Sequence, residues 1–279
     1  ELGHARGVPR QAVAVDMRHA ALECTGWFSL DGRVPELWDA FSGLYRTADG
    51  WVRIHANFAH HREGALRLLG LDPATAVRAD AEAAMAGWRA LDFEDAAAAR
   101  GLVATALRRF DEWDATPQGQ AIAALPAVML ERIGDAPPTP LPPLAARPLD
   151  GIRVLDLTRV IAGPVAGRTL AAHGAEVLHV TSPHLPSLPP LVMDTGRGKR
   201  CASLDLRDPA QQAAMRGLVA GADVFLQGYR PGGIAGLGFG PEALAALKPG
   251  IVCVSLSAFG HVGPWSGRRG FDSLTQNAD

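Results

Sequence analysis

Beyond residue 150, short apolar runs alternate with stretches of helical spacing, and this alternation limits the fold more than any other feature. Ile152 to Leu157 (IRVLDL), Ala175 to Val180 (AEVLHV), Ala222 to Leu226 (ADVFL) and Ile251 to Leu256 (IVCVSL) are near-continuously apolar and of strand length. Between them, Pro164 to His173, Pro209 to Ala220 and Pro241 to Leu247 have helical patterns, the first ending near Gly174. A strand that is apolar on both sides must be covered on both sides, and the intervening helices supply the cover. The pattern predicts an α/β fold with a parallel, doubly wound sheet, in which ligands bind at the carboxyl ends of the strands.

The strongest break in composition is Asp135 to Pro148, where six prolines remove amide donors and favour extended backbone. It reads as an interdomain linker (135–148) between a domain over 1–134 and one over 149–279. The first domain has a helix-like Arg10 to Glu23 and a hairpin around Leu44 to Ile54 that turns at Ala48-Asp49-Gly50. Three Ala-rich helical stretches follow between His61 and Ala124, which makes a mostly helical α/β module.

A formal net charge of −2 offers no broad attraction to a nucleic-acid backbone or an anionic membrane, so an anionic ligand must be held by a local basic cluster. No stretch approaches the roughly 20 apolar residues that cross a bilayer, and Glu1 to Arg10 lacks the parts of a signal peptide. Cys24, Cys201 and Cys253 have neither zinc-site nor redox-motif spacing, which fits a reducing cytoplasm. The first residue is not Met and Phe271 to Asp279 runs out without a turn or cap, so a piece of a longer protein is expected at both ends.

The chemistry-bearing residues cluster after the strands. Strand 152–157 enters Thr158-Arg159-Val160-Ile161-Ala162-Gly163-Pro164, where free amides at a helix start could face a phosphate or an adenine edge. The glycine triplet and the acidic residue of a dinucleotide fingerprint are absent, so a nicotinamide-linked oxidoreductase rests on fold analogy alone. Thr195 to Arg200 puts Arg197, Lys199 and Arg200 in a glycine-bearing turn that could clamp a phosphate, or be a solvated basic turn. Gln227-Gly228-Tyr229-Arg230 follows the strand ADVFL, and Arg268 and Arg269 follow Gly263-Pro264-Trp265. His55, His60 and His61 lack an acidic or cysteine partner, so a structural or interface role is preferred to a metal site.

Four segments, DLTRVIAGP, GRGKRCASLDLRDP, ADVFLQGYRPGGIAGLGFG and VSLSAFGHVGPWSGRRGFDSLTQ, occur in the order and spacing of family III CoA-transferases, the CaiB/BaiF group, which residues 148–279 resemble. The resemblance implies a Rossmann-like fold that binds coenzyme A at the strand ends, in a homodimer of interlocked chains and with no metal. Carried over by position, Val160, Ile161, Ala162 and the segment Leu204 to Arg207 correspond to adenosine-side contacts. Lys199, Arg207 and Arg269 correspond to phosphate partners, and Tyr229 with Arg230 to a wall of the CoA groove. Two positions depart from the pattern: Ser182 stands where many members carry a basic residue, and Gly228 where an asparagine is common.

The implied activity moves CoA between an acyl-CoA and a carboxylic acid through an aspartyl mixed anhydride and thioester. The attacking aspartate of the family lies beyond the GFDSL-like segment, and is expected past Asp279; Asp272 matches a position that is more often structural. Related acyl-CoA racemases need a histidine where this chain has Phe271, which disfavours that reaction. Gly43 to Phe58 resembles the segment that opens the family's small domain, and Trp113 to Ala121 continues it, as in a fused second copy. A CoA-binding or scaffold homologue without turnover is the alternative.

Overall fold

The computed structural model describes residues 2–24, 28–143 and 146–278. The chain divides into two compact units that are not continuous in sequence: residues 1–35 with 130–256, and 36–129 with 257–279. The segment after residue 256 therefore groups with residues 36–129, unlike the continuous 149–279 domain expected from composition. Its backbone finds a partner there: Gln118, fully buried, donates from Nε2 to the carbonyls of Phe259 (2.8 Å) and Val262 (2.9 Å) and accepts from the amide of Trp265 (2.7 Å).

In the 36–129 unit, strands β1 (Gly43–Arg46) and β2 (Trp51–Ile54) form the expected antiparallel hairpin, with Arg46 opposite Trp51. Thr47 closes the turn by accepting the Gly50 amide on Oγ1 at 2.9 Å, and Asp49 accepts the amide of Ala90 at 2.8 Å. A third strand, β3 (Ala104–Ala106), pairs antiparallel with β2. Tyr45, Val52 and Ile54 point into a core with Leu66, Met85 and Phe93 from the helices Ala59–Leu68, Arg78–Met85 and Ala90–Ala99. The helix Asp272–Ala278 packs against β2 and β3, where the Leu274 carbonyl accepts from Thr105 Oγ1 at 3.3 Å.

The other unit holds a five-stranded parallel sheet: β4 (Arg153–Leu157), β5 (Glu176–Thr181), β6 (Arg200–Ser203), β7 (Val224–Gln227) and β8 (Val252–Ser255), in the spatial order β6-β5-β4-β7-β8. Both faces of β4 are covered, as its apolar run required. Leu155 and Leu157 join Met215, Val219 and Phe225 in one cluster, whereas Val154 joins Ala171 and Val177 in another. The helices Ala162–Ala172, Pro209–Ala220 and Pro241–Leu247 match their expected positions within two residues.

Two expectations change. The helix expected over 10–23 starts only at Met17, because Asp16 takes the capping position: its Oδ1 accepts the His19 amide at 2.9 Å, and exposed Val13 and Val15 ahead of it have no surface to pack on. The described residues of the proline-rich segment form neither helix nor strand, but they are tied down: the Arg6 guanidinium donates to the carbonyls of Pro142 (2.7 Å), Pro143 (2.6 Å) and Pro148 (2.6 Å). Prolines lack amide donors yet keep their carbonyls, and one guanidinium fork can collect several.

Candidate functional site

Sequential strands run outward from β4 to β5 and β6 on one side, and then from β7 to β8 on the other. The connections reverse direction between β4 and β7, and in open parallel sheets the carboxyl ends of the strands at such a switch point are where ligands bind. Three segments reach this edge: the turn 158–161 after β4, residues 204–207 after β6 and residues 228–230 after β7. With Lys199, just before β6, and Ala162, the first residue of the following helix, they account for eight of the nine residues implicated from sequence.

The turn after β4 is built over a buried ion pair. Asp156 is fully buried and accepts on Oδ2 from Lys199 Nζ at 2.7 Å, and the same ammonium donates to the Pro164 carbonyl at 2.8 Å. The other Asp156 oxygen accepts the Thr158 amide at 2.9 Å, and His179 Nε2 lies 3.0 Å from the Thr158 carbonyl. Held in this way, Val160 takes a left-handed φ of 72°, a costly conformation for a β-branched residue. The turn delivers Ile161 and Ala162, both exposed, at the start of the 162–172 helix. The helix passes so close to the pair that a Cβ on Gly167 would lie 2.3 Å from Asp156 Oδ2.

Lys199 is thus placed differently from expectation. Its ammonium has no exposed surface and both described contacts lie beneath the turn, so it supports the turn and is not presented to a phosphate. Sequence reading missed Asp156 as its partner, although an acid inside the apolar run IRVLDL was the available signal.

After β7, Tyr229 is half-buried against the sheet's core cluster and its amide donates to Gln227 Oε1 at 2.7 Å. Burial pushes its phenol pKa up, while the charge of Arg159 pulls the other way; burial also lowers the Arg159 pKa, and the two groups feel each other across the β4–β7 gap. Arg159 donates to the Pro186 carbonyl. Arg230 is exposed. Leu204 is half-buried in the same cluster, and Arg207 is exposed with its fork on Asp205 at 2.9 and 3.0 Å. Hydrogen bonds from Arg207, and then from His184, hold the Asp205 carboxyl well below the usual range.

Arg269 belongs to the other compact unit, where it is exposed and lies 3.1 Å from His61 Nε2. Asp272 is in that unit too, exposed in the first turn of its helix, and accepts from Gln276 Nε2 at 2.8 Å. His55 stacks on Phe271 with centroids 4.0 Å apart. Among the described residues no group of three or more His, Cys, Asp or Glu is placed to hold a metal, and no helix is long and apolar enough to cross a membrane.

A parallel sheet with a strained turn, a tyrosine and cationic side chains at its switch point defines an α/β ligand-binding unit. Residues 149–278 match the model of CoA-transferase family III and belong to that family. An acyl-CoA transferase of Gibberella moniliformis is 31% identical over 322 aligned residues, which take in 100% of this chain and 56% of that protein. A probable fatty acyl-CoA transferase of Mycobacterium tuberculosis is 39% identical over 140 residues, 46% of this chain and 36% of its own length. The crystal structure of a CaiB/BaiF family protein from Brucella suis is 35% identical with a TM-score of 0.43, covering 46% of this chain and 38% of that one. The chain therefore spans about half, or less, of the length of these relatives.

Proposed function

We propose that this chain provides the CoA-binding part of an enzyme that moves CoA between an acyl-CoA and a carboxylic acid. The supporting observation is that the family match covers the parallel sheet and the segments that follow its strands at the switch point. In this reading the adenosine lies along Val160, Ile161 and Ala162 and along Leu204 to Arg207, with Tyr229 as a wall of the groove and Arg230 and Arg207 as phosphate donors.

The transfer needs an aspartate carboxylate that attacks the thioester carbonyl. The C–S bond breaks, CoA leaves as thiolate and an acyl-aspartyl mixed anhydride forms. The thiolate then attacks the aspartyl carbonyl and expels the donor acid, and the acceptor carboxylate takes CoA from the resulting aspartyl thioester by the reverse steps. No residue of this chain is assigned as that aspartate; Asp272 has the exposed, helix-starting position of a structural acid. A homodimer of interlocked chains and a reducing cytoplasm belong to the same reading, and the free thiols of Cys201 and Cys253 are in keeping with the latter.

The test is calorimetric titration of the chain with CoA, dephospho-CoA and NADH at one ionic strength. Selective CoA binding is expected, and Arg230→Ala should weaken it by about tenfold while changing dephospho-CoA binding little. Equal affinity for NADH would reject the assignment. A CoA-binding homologue without turnover is the second reading, motivated by Ser182 and Gly228; CoA binding without thioester exchange by the complete protein would favour it.

A further inference from the structure

Among the described residues of the 36–129 unit, one cation has no balancing acid. Arg53 and His55 lie on the same side of β2, opposite the core residues Val52 and Ile54. Arg53 is half-buried, its Nε is buried without a hydrogen-bond partner, and the contact its guanidinium makes is with the Trp38 ring, 5.2 Å from the centroid. Desolvation is strong enough to lower its pKa, yet no carboxylate faces it among the described residues.

Trp38 also meets His55 edge-on at 5.7 Å, so one ring touches both groups. His55 is 4% exposed. Its Nδ1 lies 3.4 Å from Ser273 Oγ, and its Nε2 is buried with no partner. With the serine hydroxyl donating to Nδ1, the ring proton sits on Nε2, as a second unused donor. A desolvated guanidinium and an unpaired ring N–H each cost free energy, which a planar anion with two acceptor oxygens would recover. Trp38 is 47% exposed and lies outside the core, on a loop anchored by Asn57, whose Oδ1 accepts the Asp39 amide at 3.0 Å.

We propose that this unit binds a carboxylate: Arg53 holds one oxygen, His55 Nε2–H donates to the other, and Trp38 covers the carbon skeleton. A single guanidinium beside a neutral imidazole suits a monoanion better than a phosphate dianion, which would demand more donors. The site does not depend on CoA binding at the parallel sheet and stands or falls separately from it.

The test follows the imidazole resonances of His55, identified by their loss in His55→Gln, while the 279-residue chain is titrated with sodium acetate at constant ionic strength. A saturable shift is expected, together with a rise in the His55 pKa from about 4, where burial and then Arg53 hold it, as acetate offsets the Arg53 charge. Arg53→Gln should weaken acetate by about tenfold or more, whereas Arg46→Gln, whose guanidinium lies over Trp51, should not. If Arg53→Gln does not fold, Trp38→Ala decides: a loss of affinity supports the site and unchanged affinity counts against it. A shift without saturation, one indifferent to Arg53→Gln, or tighter saturation by inorganic phosphate would overturn the proposal.

Discussion

At the scale of single residues, Asp156 and Lys199 show how a functional turn is held. Removing either partner leaves the other charged and buried, and such losses typically cost about 3–5 kcal/mol. Lys199→Met and Asp156→Leu should each lower stability by about this amount in urea unfolding, and the double variant Asp156→Leu/Lys199→Met should lose less than the sum. An additive result would show that the two groups do not act as a pair. His55 predicts a pH effect of definite sign. Its folded pKa, about 4, lies below its ordinary 6.5, so the fold prefers the neutral ring. The stability it contributes is complete above pH 6.5 and is lost as pH falls through 6.5 towards 4, by at most about 3 kcal/mol. In His55→Gln that part of the pH dependence should disappear.

At the scale of elements, legibility followed the strength of the local signal. The 44–54 hairpin announced itself through Asp49-Gly50 between apolar runs, and the four apolar strands of the sheet through their composition. β3 stayed hidden because Ala-Thr-Ala sits in an Ala-rich region that reads as helix, and only pairing with β2 makes it a strand. β6 was hidden in the same way: Arg200–Ser203 follows a glycine-bearing basic stretch that read as a loop, until the parallel register with Leu178–Thr181 claimed it. The placement of 257–266 depends on Gln118, a contact more than a hundred residues away in sequence that no local pattern encodes. Gln118→Leu would strand two carbonyls and one amide, so a loss of about 3 kcal/mol and faster amide exchange at Trp265 are expected. Unchanged exchange would mean that the aromatic cluster of Trp113, Phe259 and Trp265 alone holds the segment.

At the scale of the whole chain, the parallel sheet and its ligand edge were legible because alternation of strand and helix forces one topology, and the motif residues fell where that topology puts ligands. What was not legible was the role of charge inside that edge: a basic stretch reads as a clamp in sequence, whereas burial turned Lys199 inward and left Arg230 outward. The discontinuous units were equally hidden, since composition changes at the proline-rich segment and not at residue 256. The central claim is that CoA binds at the switch point between β4 and β7. Hydrogen exchange measured with and without CoA tests it most directly, with protection predicted in peptides spanning 158–164, 204–207 and 227–230; no protection there from a CoA concentration that saturates binding would contradict the account.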